Sequence, residues 1–446
     1  MYFRGMTWMK FIRVIASGIL IFILIFLAFF QRVDDGPLSQ QPYYRSTLKQ
    51  LDSLSFSQAQ NGVFKVGWSE KNITPPQPAH LMGYGWKGDY KQVRDSLWVR
   101  SIVLQLDTLT VGLVSFDLML TPPLIVEQVQ TAILNSDLDF IYFSATHTHK
   151  GYGGWERGLG REMISGWYDA ELVELLVNQT VASLREAYQQ VLPGKIAYAQ
   201  FGLDSLVNNR LVRDGRVEPY LRAIYFLRED SSQAVFSSFS AHATFTNSGS
   251  KQLSADYPGE LVQQLENDPA IDFAMFAAGA VGSHSPHRVG PFSSEKLQTY
   301  AHHLASPLLR AKDTLVYDSV TQLGYKEINL PLGEPQLRIT EHWRVRPFWF
   351  QLVLGDHSPA IDFLQLNALK LVSTPGDFSG LLYDRIESET SPVVITSFNG
   401  EYIGYLIPSE YYQLNHRETR SINWYGPYTG DYVTDVINKY VSLISR

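Results

Sequence analysis

"FIYFSATHTHKGYGG", residues 140–154, carries the signals that set the fold class. The run 139–145 has the apolar character of a strand buried in a sheet with helices packed over it. It leads directly into Thr-His-Thr-His, and glycines follow at 151, 153 and 154. On an extended backbone, side chains at i and i+2 project to the same side, so His147 and His149 can face one cavity. The glycines let the chain turn sharply and admit a ligand close to the backbone. One imidazole of such a pair can bind a metal while the other acts as a base or hydrogen-bond donor. The alternative is a polar loop whose two histidines are bonded to carbonyls.

Outward from this stretch the same pattern recurs. In "AVFSSFSAHATFTNSG" (234–249) an apolar strand ends on His242, and Asp256 in "SADYPGE" stands where the helix 257–266 opens. In "DFAMFAAGAVGSHSPHR" (272–288) small residues at a strand end lead to Ser285, flanked by His284 and His287. There is no G-x-S-x-G elbow around that serine. Singly, His242 also reads as a satisfied core histidine and Ser285 as part of a Ser-Pro turn. Together they fit the way α/β enzymes gather sites at the carboxyl ends of strands. Further strand-like runs such as "WVRSIVLQL", "TVGLVSFDLML" and "PVVITSFNG" alternate with helix-like runs at 124–135, 169–192 and 293–312, with a final helix at "DYVTDVINKYVSLIS". The expected fold is α/β: mixed β-sheets covered by helices in a single large catalytic domain spanning 61–446, with no internal repeat.

The chain has 446 residues and no cysteine, which excludes disulfides, thiolate metal sites and a cysteine nucleophile. A metal site must then use His, carboxylate, Tyr or carbonyl ligands. A net charge of −7 without basic clusters argues against nucleic acid as a partner. Residues 14–30, "VIASGILIFILIFLAFF", form an uncharged apolar run behind Arg4, Lys10 and Arg13. That pattern predicts an N-terminal signal anchor or signal peptide over 1–31, with the catalytic mass outside the cytoplasm in either case. It would be periplasmic or extracellular and membrane-anchored, or secreted if the segment is cleaved. The polar stretch 32–60 reads as a linker or stalk.

The motifs "FKVGWSEKNITPP…MGYG", "SATHTHKGYGG", "VNNR", "SAHATF", "AGAVGSHSP", "TPGDFSG", "EYIGYLIPSEYY" and "YGPYTG", in this order over 62–446, resemble the catalytic domain of neutral/alkaline (non-lysosomal) ceramidases. The resemblance implies a zinc-dependent amidohydrolase cleaving the amide of ceramide or a related N-acyl lipid, with a lipid-like substrate and a membrane connection through the N-terminal segment. Carried onto this chain, it makes His147, His242, Asp377 and Tyr405 the Zn2+ ligands. It makes His149 a catalytic hydrogen-bond donor or acid/base, Arg210 a holder of the reacting carbonyl, and Ser285 the nucleophile unless water takes that part.

The chain departs from the family pattern at several points. Asp377 stands in place of a glutamate, "GSHSP" replaces G-D-V-S-P, and a further catalytic tyrosine falls on Arg417 or its neighbours. Lys150 and Tyr152, in "HKGYGG" where the family has "HSGPGG", are expected near the mouth as substrate contacts. The family's C-terminal immunoglobulin-like domain is expected to be missing. A zinc hydrolase of the same fold acting on another ester, amide or phosphoester, and a non-catalytic binding protein, remain open alternatives at this stage.

Overall fold

The alternating segments assemble into two β-sheets stacked face to face. In the computed structural model, which describes residues 3–444 except 54, 86, 135 and 387–390, the larger sheet has eight strands. Their order is Phe273–Ala278, Gln233–Phe239, Tyr220–Arg228, Leu192–Gly202, Lys65–Asn72, Trp98–Leu106, Leu109–Phe116 and Phe140–Ala145. Pairing is antiparallel in the middle and parallel at both ends, where 140–145 joins 109–116 and 273–278 joins 233–239. The sheet curls until its flanks meet: Ser115 Oγ donates to the Phe276 carbonyl at 2.6 Å. The second sheet has five strands in the order Ser57–Gln60, Gln322–Asn329, Ala360–Leu366, Leu369–Thr374 and Val393–Ser397.

The facing sides of the two sheets share one apolar core, to which Leu104, Phe236, Leu364 and Leu371 belong. Helices Pro123–Ile133 and Ala170–Gln189 cover one half of the outer face of the large sheet, and Asp256–Glu266 and Ser294–Ala311 the other. The helix starts are written locally. The Asp169 carboxylate accepts from the amides of Glu171 and Leu172, and the Ser293 hydroxyl from that of Lys296. Helix 170–189 lies so close to strand 65–72 that a Cβ on Gly67 would sit 1.9 Å from the Ala187 carbonyl oxygen, which fixes glycine there. The α/β class and the mixed sheets match the expectation. The helix Thr429–Ile444 covers the second sheet, packed with Pro42–Leu51.

The expected stalk is corrected by the structure. Residues 57–60 form an edge strand on Gln322–Asn329, and the buried Thr47 hydroxyl of helix 42–51 bonds to the Tyr432 hydroxyl at 2.8 Å. Phe30–Arg32 pairs with Trp343–Val345. This segment therefore folds onto the domain. Before it, the helix Phe3–Phe29 includes Trp8–Phe29, long and apolar enough to cross a membrane and unburied by the rest of the chain.

Candidate active site

Three of the key side chains follow the carboxyl ends of strands. His147 lies two residues beyond strand 140–145, His242 three beyond 233–239, and Asp377 three beyond 369–374. Asp377 and Tyr405 are direct partners in a short parallel ladder, which brings the carboxylate and the phenol side by side. His147 has φ +61°, a left-handed conformation that a residue with a Cβ adopts at a cost. The ring of Phe398, parallel within 8° at 4.2 Å, holds its imidazole in place.

Carbonyl groups fix the tautomer of each histidine. His147 Nδ1 lies 2.7 Å from the Met119 carbonyl, His149 Nδ1 2.8 Å from that of Gly83, and His242 Nδ1 2.8 Å from that of Val281. A carbonyl only accepts, so each Nδ1 carries the proton and each Nε2 presents a lone pair. Those three lone pairs converge. His147 Nε2 is 3.2 Å from His149 Nε2, and His147 and His242 lie 3.3 and 3.1 Å from Asp377 Oδ1. Tyr405 Oη is 3.0 Å from His242 Nε2. Asp377 Oδ1 is buried, with no hydrogen-bond donor among the described residues.

Acceptors facing acceptors in a buried cluster call for a cation between them. Protonation does not supply it at neutral pH, because burial and the nearby Arg210 pull His242 down to about 4. A tetrahedral cation with bonds of about 2.0 Å holds its ligand atoms roughly 3.3 Å apart, which matches the 3.0–3.3 Å spacings among His147, His242, Asp377 and Tyr405. The donor set therefore fits a metal, and the buried group His147, His149 and His242 can hold one. The carbonyls behind the imidazoles act as the outer partners that orient metal-binding histidines.

The cluster opens onto a cavity of about 510 Å³ lined by His149, Arg210, Tyr402 and Tyr405 among polar groups and by Met82, Met119, Leu120, Ile164, Leu354 and Trp424 among apolar ones. That size and mixture suit a small-molecule ligand with an apolar body. Burial, with Asp377 beside it, raises the Tyr405 phenol. His149 is held well below its ordinary value by burial and by His147, so it is neutral at pH 7. Arg210 ion-pairs with Glu418 at 2.5 Å; burial opposes its charge, but Tyr405, Glu418 and Asp377 keep the guanidinium above its usual value.

Sequence reasoning brought together six residues that the fold also brings together: His147, His149, His242, Asp377, Tyr405 and Arg210. Three others lie elsewhere. Ser285 is half-buried on a two-stranded ladder opposite Asn208 and does not line the cavity. Tyr152 is fully buried in the apolar core with its hydroxyl on the Ile73 carbonyl at 2.9 Å, so it is not at the mouth. Lys150 is also buried, its ammonium bonded to the Ser250 carbonyl at 2.6 Å and lying 5.1 Å from the ring centre of Tyr84, behind the cavity wall. Tyr402 was missed. Its hydroxyl donates to Asp377 Oδ2 at 2.7 Å, which orients the carboxylate; the only signal was a second tyrosine in "EYIGY". Arg417, where a further tyrosine was expected, lines the cavity.

A family model described as neutral/alkaline non-lysosomal ceramidase, N-terminal, matches residues 64–303. The chain is similar in fold to the crystal structure of neutral ceramidase from Pseudomonas aeruginosa, with 17% identity and a TM-score of 0.71, over 86% of this chain and 75% of that one. It is equally similar to a ceramidase complexed with C2, at 18% identity and a TM-score of 0.71, over 86% and 76% of the two chains. No curated protein matches the sequence.

Proposed function

We propose that this chain, which belongs to the neutral/alkaline non-lysosomal ceramidase family, is a zinc-dependent hydrolase that cleaves the amide of ceramide or a closely related N-acyl lipid with water as the nucleophile. The observation that carries the proposal is the buried set of converging lone pairs at the floor of a largely apolar cavity. His147, His242, Asp377 and Tyr405 would hold the ion, and Asp377 is long enough to meet both imidazoles despite replacing a glutamate. A zinc ion there supplies a Lewis acid that polarises an amide carbonyl and acidifies water.

The remaining steps belong to the chain. The apolar wall takes the acyl chain and excludes water from the reacting amide. Arg210, kept charged and held by Glu418, stabilises the negative charge that grows on the carbonyl oxygen. Neutral His149, its Nδ1 proton committed to Gly83, has Nε2 free to take a proton from the attacking water and pass it to the leaving amine. Water is favoured over Ser285 because that serine sits on the two-stranded ladder opposite Asn208, away from the residues His149, Arg210 and Tyr405 that line the cavity. The helix Trp8–Phe29, with Lys10 and Arg13 at its N-terminal end, would anchor the enzyme in a membrane with the domain outside the cytoplasm.

A substrate panel tests the reading. Zinc-loaded protein is expected to hydrolyse fluorogenic N-acylsphingosines and to lose that activity on chelation. Cleavage of esters or phosphoesters with N-acylsphingosines untouched would refute the ceramidase assignment.

A further inference from the structure

The strongest unexplained feature of the surface is an apolar patch beside the cavity. Phe348 and Leu352, one turn apart on helix Pro347–Leu354, are 63% and 65% exposed, and that helix carries no charged residue. Next to it, Met163 and Trp167 are 61% and 63% exposed, at the end of helix Leu159–Ser165 and just beyond it. Arg161 Nε donates to the Leu354 carbonyl at 2.7 Å and ties the two helices together. Large exposed apolar side chains gathered on one face mark a contact surface. This face is continuous with the cavity, because Met163, Ile164 and Leu354 also line the cavity wall.

The membrane helix identifies what covers it. Trp349 Nε1 donates to the Ala28 carbonyl at 2.9 Å, and its ring stacks on Phe29 at 4.6 Å. Arg346 Nε donates to the Leu27 carbonyl at 2.7 Å, and Phe30 pairs with Val345. No slack chain separates the last turn of the apolar helix from helix 347–354. Wherever residues 8–29 cross a bilayer, helix 347–354 is held at its surface.

We propose that the exposed face formed by Phe348, Leu352, Met163 and Trp167 docks into the lipid surface of the bilayer crossed by Trp8–Phe29, so that the cavity opens onto the membrane and takes its lipid substrate from it. Aromatic and aliphatic side chains of this kind suit the interface between headgroups and acyl chains. The inference rests on the reading of residues 8–29 as a membrane anchor and on the lipid substrate proposed above, and its test separates the three.

Because the chain has no cysteine, a single label can be placed cleanly. The full chain with Leu352→Cys, bearing an environment-sensitive fluorophore, is reconstituted into phosphatidylcholine vesicles containing lipid with a nitroxide near the headgroup. A Val316→Cys protein, labelled at a position that is 79% exposed outside the patch, is the control. Quenching of at least about twofold at 352 with none at 316 is expected for a label seated in the interface. Protein that floats with the vesicles but shows equal or no quenching at both sites would overturn the docking. Protein that does not float would overturn the anchor and the docking together.

In a second measurement, Phe348→Glu/Leu352→Glu is expected to slow hydrolysis of vesicle-embedded N-acylsphingosine about tenfold, from the cost of placing charge in the interface. Hydrolysis of a soluble short-chain amide should be unchanged. Equal losses on both substrates, or no loss on either, would count against docking. If the wild type cleaves no N-acyl lipid, the substrate assignment falls, and the quenching still decides the docking.

Discussion

Gly83→Ala probes the placement of His149 without altering any donor at the metal cluster. A Cβ on Gly83 would stand 2.7 Å from His149 Cα and 2.8 Å from its Cβ, and Gly83 has φ +129°, where an L side chain is strained. Restoring ordinary contact at 3.4 Å moves the His149 backbone by about 0.7 Å, or else moves the Gly83 carbonyl that holds Nδ1. A misplacement on the order of 1 Å at a catalytic group costs roughly 100-fold in rate, about 2.7 kcal/mol of barrier. Strain at the new alanine adds about 1–3 kcal/mol of destabilisation. The assay is kcat on an N-acylsphingosine, with metal content and Tm measured on the same preparation. The expected result is a large fall in kcat, a modest fall in Tm and unchanged metal stoichiometry. A kcat within about threefold of wild type would refute the role given to His149. Loss of the metal along with the activity would make His149 a ligand instead.

Four further outcomes follow from the site. Ser285→Ala should reduce kcat by no more than a few-fold; a loss of about 100-fold or more would restore that serine as nucleophile. Tyr402→Phe removes the hydroxyl on Asp377 Oδ2 and is expected to weaken metal affinity about 10- to 100-fold, read by competition with a chelating dye; unchanged affinity would contradict the orienting role. His242 binds its proton far less readily in the fold, at about 4, than the ordinary histidine value of 6.5 in the unfolded chain. Between those values the unfolded state holds more protons, so metal-free protein should lose stability as pH falls from 6.5 toward 4, by up to about 1.4 kcal/mol per pH unit for that histidine. A flat denaturation midpoint across that window would contradict a neutral, buried His242. Arg210→Lys keeps the charge but loses the planar guanidinium that meets Glu418 through Nη2, and about a tenfold or greater fall in kcat/KM is expected.

The parts of this account visible in the sequence are those with a local signature. The runs 140–145, 233–239 and 273–278 announce buried strands by composition, and their ends announce His147 and His242. Asp377 and Tyr405 have no such signature. They face the histidines because two parallel strands from the far end of the chain deliver them to the same edge, and only the family motifs pointed to them.

Lys150 and Tyr152 were expected at the mouth because they follow His149 where the motif departs from the family pattern; the turn around Gly151 carries the Tyr152 ring into the core instead. Residues 32–60 look like a polar tether because the partners that order them, strand 322–329 and helix 429–444, lie hundreds of residues away. Tyr402 escaped notice because a buried tyrosine is a common core residue until its hydroxyl is seen to hold a carboxylate.

The central claim is a metal ion at the convergence of His147, His242, Asp377 and Tyr405, and elemental analysis of the purified full chain tests it most directly. About one zinc per chain, lost in His147→Ala and in Asp377→Asn while both variants keep a cooperative thermal transition, is the expected result. Wild-type protein that takes up no zinc from a buffered supply, or variants that retain it in full, would contradict the account.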